Sequence, residues 1–446
     1  MSRTPLGEPV EPPVDGVADR LSSESGVHSS EVSGPVGGER HPTAWARARP
    51  LLVRLHFYAG VFVGPFVLVA AFTGLLYALI PQIDSMAFRD ELKVDHTGDQ
   101  RLSLSDQIAA ARAAHPEGAI ESIRPPAALD DTTWVTLAVD DVPPDYSRTI
   151  FVDPYTAQVR GTLTTYGQWM PVRAWFDELH RNLHLGAFGR NYSELAASWV
   201  WVIALAGLLL WIGHRKGTRK LRRIAVPDRG VGGRRRLLSW HGALGVWIIV
   251  IVLGLSVTGM TWSRFAGESV DKIQSHLSWK APSVDTALGA PAGPRGGHHG
   301  VVTADPAGNF AAGADTRTLT DRVNFADWPF MAKMTDWAID AHMGILFGWV
   351  NQLLLAVAAL ALIISVVWGY RMWWGRRPKG GDPLSLPRRP SGGALRGLRP
   401  YEAMIAIGAV AAVGWFAPLF GASLAAFAVV DLAGRWWRRR QLASEA

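Results

Sequence analysis

Apolar residues in this chain are gathered into a few long runs, not spread in short periodic stretches. The first run covers residues 51–80 and is interrupted only by Arg54 and His56 near its start. At about 1.5 Å per residue, a helix of that length crosses a ~30 Å hydrocarbon core with residues to spare. Comparable runs cover 193–212, 237–262 and 344–370. Two shorter ones, 401–417 and 420–432, are parted by Pro418 and predict a tight hairpin. The predicted fold is all-α and transmembrane. It has a four-helix core made of two repeated helix pairs, a C-terminal hairpin, and a small α+β domain on the outer face.

The stretches between the runs complete the plan. Residues 1–45 are rich in Gly, Pro, Ser and Glu and predict a disordered tail without a signal-peptide pattern. Membrane helices are expected at 46–81, within 176–213 after an amphipathic lead-in, at 237–263 and at 341–374. The hairpin is expected at 401–434. Within 82–175, the segment 102–116 (Leu-Ser-Leu-Ser-Asp-Gln) has a capping-type Ser near its start and stops at Pro116, as a helix does. Residues 133–139 and 148–153 alternate as strands and Asp153-Pro-Tyr-Thr turns. The segment 264–340 is Gly-, Pro- and Ala-rich in its middle and predicts loop. His298 and His299 lie in that loop.

Charge sets the orientation. The connection 214–236 carries ten Lys or Arg against one acid. The stretch 371–399 carries eight against one, and the chain ends in a basic tail, 435–446. The positive-inside rule places these segments, including the linker 375–400, and the N-terminal tail in the cytoplasm. The net charge of +7 is therefore a topology signal and not a nucleic-acid surface. The expected location is the cytoplasmic (inner) membrane, multi-pass, with the lipid bilayer as solvent. There is no cysteine, which excludes disulfides, Cys-held zinc, iron–sulfur clusters, covalent haem and thiol nucleophiles.

A two-fold repeat carries the chemistry. His56 is followed by Gly60, Thr73, Gly74 and Tyr77, and His241 by Gly245, Thr258, Gly259 and Trp262. The offsets are the same, at 4, 17, 18 and 21 residues. His184-Leu-Gly and His342-Met-Gly precede the second and fourth runs. Ionisable residues in membrane segments are costly and usually functional. The topology puts His56 and His241 near the cytoplasmic surface, and His184 and His342 near the outer one. Two imidazoles facing each other at each surface is the ligand set of a six-coordinate b-type haem, so two such haems are expected. Gly60, Gly74, Gly245 and Gly259 share the histidine faces and would clear space for the haems. Zinc competes poorly, with two ligands per site against its usual four. His180 lies one turn before His184 and is the alternative outer ligand.

These residues resemble a known family. Leu55-His56 through Thr73-Gly74-Leu-Leu, Leu179-His-Arg-Asn-Leu-His184, and Trp240-His241-Gly through Thr258-Gly259 look like the PepSY-associated transmembrane proteins. Val152-Asp-Pro-Tyr-Thr156 looks like the PepSY module between the first two helices. The resemblance implies an iron-regulated membrane protein, similar to di-haem reductases that deliver electrons to ferric siderophores. It implies haem histidines at His56, His184, His241 and His342. The expected acceptor is a ferric siderophore or other ferric chelate. With no Gly-x-Gly-x-x-Gly motif, the donor is expected to be quinol or a separate cytoplasmic reductase. The alternative is a membrane-anchored PepSY module that regulates an envelope protease or other envelope protein.

Overall fold

The computed structural model describes residues 43–215, 223–282, 309–312, 319–377 and 397–444. Residues 1–42 of the predicted N-terminal tail, His298, His299, residues 216–222 of the first basic connection and residues 378–396 of the second lie outside these residues. Among the described residues, four helical segments are long and apolar enough to cross a membrane: Gly64–Ala87, Gly186–Arg215, Gly233–Thr261 and Trp349–Trp374.

The first crossing is broken. α1 (Ala44–Phe62) ends at Val63, and α2 (Gly64–Tyr77) restarts with Pro65 in its first turn. Proline has no N–H to donate and is best accommodated in the first turn of a helix, which is where Pro65 sits. After α2 come α3 (Ile80–Ala87) and the single turn α4 (Arg89–Leu92). α7 (Gly186–Arg215), α8 (Gly233–Thr261) and α11 (Trp349–Trp374) are continuous. Each packs on the next in a closed ring: α1 and α2 on α7, α7 on α8, α8 on α11, and α11 back on α2. At the contact between α1, α2 and α7, Ala59, Val63 and Val67 pack with Ala196, Trp199 and Val202.

One end of this bundle carries a small domain. α5 (Leu104–Ala114) starts at Ser103, whose hydroxyl accepts from Asp106 N at 3.2 Å. It covers an antiparallel sheet in the order β1-β2-β3-β4, formed by Ala119–Arg124, Thr133–Ala138, Ser147–Val152 and Val159–Thr165. Val135, Leu137, Ile150 and Val152 form its core against Ala111. We call this the sheet end, and the opposite end of the bundle the basic end.

α6 (Pro171–Asn182) leads from β4 into α7. The described parts of the segment 264–340 hold regular structure where its composition predicts loop. They contain α9 (Phe265–His276), the antiparallel pair β5 (Asn309–Ala312) and β6 (Leu319–Val323), and the start of α10 (Phe330–Met343). His342 therefore lies on α10 and not on the fourth membrane helix, which begins at Trp349. Glu194 explains how α9 begins. Its buried carboxylate accepts from Phe265 N at 2.8 Å and Ala266 N at 3.1 Å, and so caps the helix from another element.

The predicted hairpin is α12 (Pro400–Phe416) and α13 (Pro418–Ser444). At its elbow the Cα of Gly421 would lie 3.1 Å from a Cβ placed on Gly414, so the helices cross where neither has a side chain. The hairpin is fastened to the bundle. Trp199 Nε1 donates to Ser423 Oγ at 2.8 Å, Arg54 pairs with Asp431, and Arg47 pairs with Glu402.

Candidate functional site

At the basic end, His56 projects from α1 and His241 from α8. His56 Nδ1 lies 2.9 Å from Ile203 O on α7, and His241 Nδ1 lies 3.1 Å from Ser365 O on α11. A carbonyl only accepts, so each Nδ1 carries the proton and each Nε2 keeps its lone pair. The ring centroids are 6.2 Å apart and the planes cross at 69°. Gly207 makes room for the first ring, because a Cβ there would come within 2.8 Å of His56 Cε1. A Cβ on Gly60 or Gly245 would have no protein atom within 4 Å.

At the sheet end the facing pair is His180 and His342, from α6 and α10. Their centroids are 6.5 Å apart with planes at 55°. His180 Nδ1 lies 2.9 Å from Thr73 Oγ1, and His342 Nδ1 lies 2.5 Å from Thr258 Oγ1. Tyr77 stacks on His180 at 6.4 Å, and Trp262 meets His342 edge-on at 5.7 Å. Burial lowers the His180 imidazole to about 4 and the His342 imidazole to about 3, so both are neutral near pH 7. Along α8, His241 and Thr258 are separated by 17 residues, or roughly 26 Å of helix. That length separates the two pairs.

The expected pairing of His184 with His342 is corrected by this geometry. The shared-face argument for His180 and His184 needs an unbroken helix, but α6 ends at Asn182. Leu183 and His184 both take left-handed φ values of 55°. The turn swings His184 outward, against Trp175 at 4.7 Å and 3.2 Å from Glu178 Oε2. The roles of the glycines also divide. Gly74 and Gly259 sit against the sheet-end imidazoles themselves, with their added Cβ atoms 3.2 Å from His180 Cε1 and 3.9 Å from His342 Cε1. His214 stacks on Trp211 at 5.7 Å.

Several residues at these sites had no assigned chemistry in the sequence. Thr73, Thr258, Tyr77 and Trp262 sit at matched offsets in the repeat, and the repeat was the signal for them. Ile203 and Ser365 contribute only their main chain, yet each falls 23 residues after its half's sheet-end histidine. That correspondence exists for His180 and His342 and is lost with His184.

Two imidazoles opposed across a metal at about 2.0–2.1 Å each would place their centroids roughly 6.3 Å apart. The observed 6.2 and 6.5 Å fit that spacing. Among the described residues no three His, Cys, Asp or Glu converge on one point, so either site offers a metal two protein ligands. A macrocycle that supplies the remaining ligands suits such a pair better than a bare ion.

The fold and these sites define a multi-pass membrane protein with a small sheet domain at one end of its bundle. The family described as PepSY-associated TM region matches residues 53–376, and the chain belongs to it. No curated protein matches the chain.

Proposed function

We propose that this chain holds two b-type haems and carries electrons across the cytoplasmic membrane to a ferric siderophore or other ferric chelate. One observation carries the reading: two pairs of facing neutral imidazoles, each with Nδ1 engaged elsewhere and ring spacing suited to a shared metal. His56 and His241 would hold one haem, and His180 and His342 the other. Haem iron, when bound, supplies reversible one-electron chemistry.

The chain's own residues supply position. Ile203 O, Ser365 O, Thr73 and Thr258 fix the tautomers, and Gly207 and Gly74 seat the rings. Gly60 and Gly245 leave open space beside the basic-end histidines. In this reading the bundle is two copies of one helix pair, which the matched histidine contacts support. In this reading the His56/His241 end and both termini lie on the cytoplasmic side, which the excess of Lys and Arg in the basic connections supports. Electrons then enter from quinol or a separate reductase, which is oxidised, and leave at the sheet end. Each ferric ion that accepts one electron becomes ferrous.

The test is the absorption spectrum of the purified protein with a pyridine haemochrome assay. Two haems per chain are expected. A protein without a Soret band would overturn this reading and leave the rival, a membrane-anchored module acting on an envelope protein.

A further inference from the structure

We infer that Thr73 and Thr258 are positioning residues of the sheet-end pair, and that each sets the tautomer, ring angle and electron density of its own histidine. The inference rests on the two-haem reading and goes beyond it by identifying what tunes one haem separately from the other.

The hydroxyl proton decides which way these bonds run. Thr73 Oγ1 lies 3.0 Å from Val69 O and 3.2 Å from Ala70 O, both in the preceding turn of its own helix. Thr258 Oγ1 lies 2.8 Å from Gly254 O and 3.3 Å from Leu255 O in the same way. Carbonyls only accept and a hydroxyl has one proton; the back-bonded rotamer gives that proton to the main chain. The remaining lone pairs face His180 Nδ1 at 2.9 Å and His342 Nδ1 at 2.5 Å. The imidazole must therefore bring the proton to this bond, leaving Nε2 bare on both rings. Both threonines are buried, and the back-bond to the helix holds each hydroxyl in one rotamer. Tyr77 and Gly74 then confine the His180 ring from two further directions.

The two ends of the bundle differ in one respect that matters. The basic-end histidines donate to main-chain carbonyls, so substituting the side chain of Ile203 or Ser365 leaves the acceptor in place. The sheet-end histidines donate to side chains, so their bonds can be removed singly. An Nδ1–H bond to an acceptor raises the basicity of the ligating nitrogen, which favours ferric iron. Its loss moves the midpoint potential upward.

The experiment is a spectroelectrochemical titration of the full-length protein and its Thr73→Val, Thr258→Val and double variants, with Thr→Ser at each site as controls. Each Val variant should raise the potential of one haem and leave the other unmoved, and Ser should restore the original value. Loss of one haem in a Val variant, with both retained in the matching Ser variant, also supports the inference. Two haems with unchanged potentials in the double Val variant would overturn it, as would equal shifts of both haems or haem loss in Ser and Val alike. No haem in the unsubstituted protein would overturn the two-haem reading itself and remove the basis for this inference.

Discussion

His180 and His342 face each other at 6.5 Å across the sheet end of the bundle, while His184, four residues on from His180, packs against Trp175 instead. The separation of roles is sharp enough to test by substitution. His180→Ala should remove about one haem of two, and so should His342→Ala. His184→Ala should retain both, because it costs only an exposed contact with Glu178 and Trp175. Haem per chain by pyridine assay decides this. Loss of a haem in His184→Ala, with retention in His180→Ala, would reverse the assignment.

Gly207 offers a second test, at the other end. Alanine there places a methyl group 2.8 Å from His56 Cε1, closer than carbon atoms approach. The ring must turn, and its 2.9 Å bond to Ile203 O is lost with the turn. Overpacking of this kind costs typically 1–3 kcal/mol. The expected outcome is a folded protein that has lost or weakened the basic-end haem and kept the other. Gly254→Ala, on α8 with no protein atom within 4 Å of its added Cβ, is the control and should bind both.

Much of this architecture is legible in the sequence, and the parts that are not have physical reasons. The apolar runs, the Pro418 elbow, α5 with its Ser103 cap and the strands β2 and β3 are written locally, in hydrophobic period and end signals. The choice between His180 and His184 is not. It depends on where α6 stops, and the stop is made by Leu183 and His184 in left-handed conformation, with no Gly or Pro before Gly186 to announce it. α9 was missed for a similar reason. Its start is capped by Glu194, more than 70 residues earlier in the chain. The Thr–His bonds join separate helices, so the repeat could mark Thr73 and Thr258 but could not say what they touch.

The sheet domain has its own acid sensitivity. Glu117 Oε1 lies 2.8 Å from His115 Nδ1 and accepts from Arg148 Nη1 at 2.6 Å. The His115 bond, its own backbone N–H and the Arg148 bond together lower its carboxyl to about 2 from the ordinary 4.5. A carboxyl lowered on folding adds stability that is present above pH 4.5 and lost as pH falls toward 2. Glu117→Gln should lower neutral-pH stability by the amount the unsubstituted protein loses across that window, and so flatten the acid fall; both effects are small, since the group is exposed. An unaltered acid slope in the variant would place the sensitivity elsewhere.

Glu194 presents the opposite case, a carboxylate fully enclosed within the bundle. Both of its oxygens are committed, to Phe265 N at 2.8 Å and Ala266 N at 3.1 Å. Glu194→Ala would leave two main-chain donors without partners beside the α7–α9 contact, at a cost of roughly 1–3 kcal/mol each. Glu194→Gln keeps one acceptor but turns an amide N–H toward the second donor, so it should fall between alanine and the unsubstituted protein. The measurement is thermal unfolding in detergent, with haem content followed in parallel. Stability should fall in the order Glu, Gln, Ala. Since Glu194 touches neither histidine pair, haem should leave only as the protein unfolds. Early haem release at unchanged melting temperature would show that the carboxylate acts on the sheet-end site and not on the start of α9.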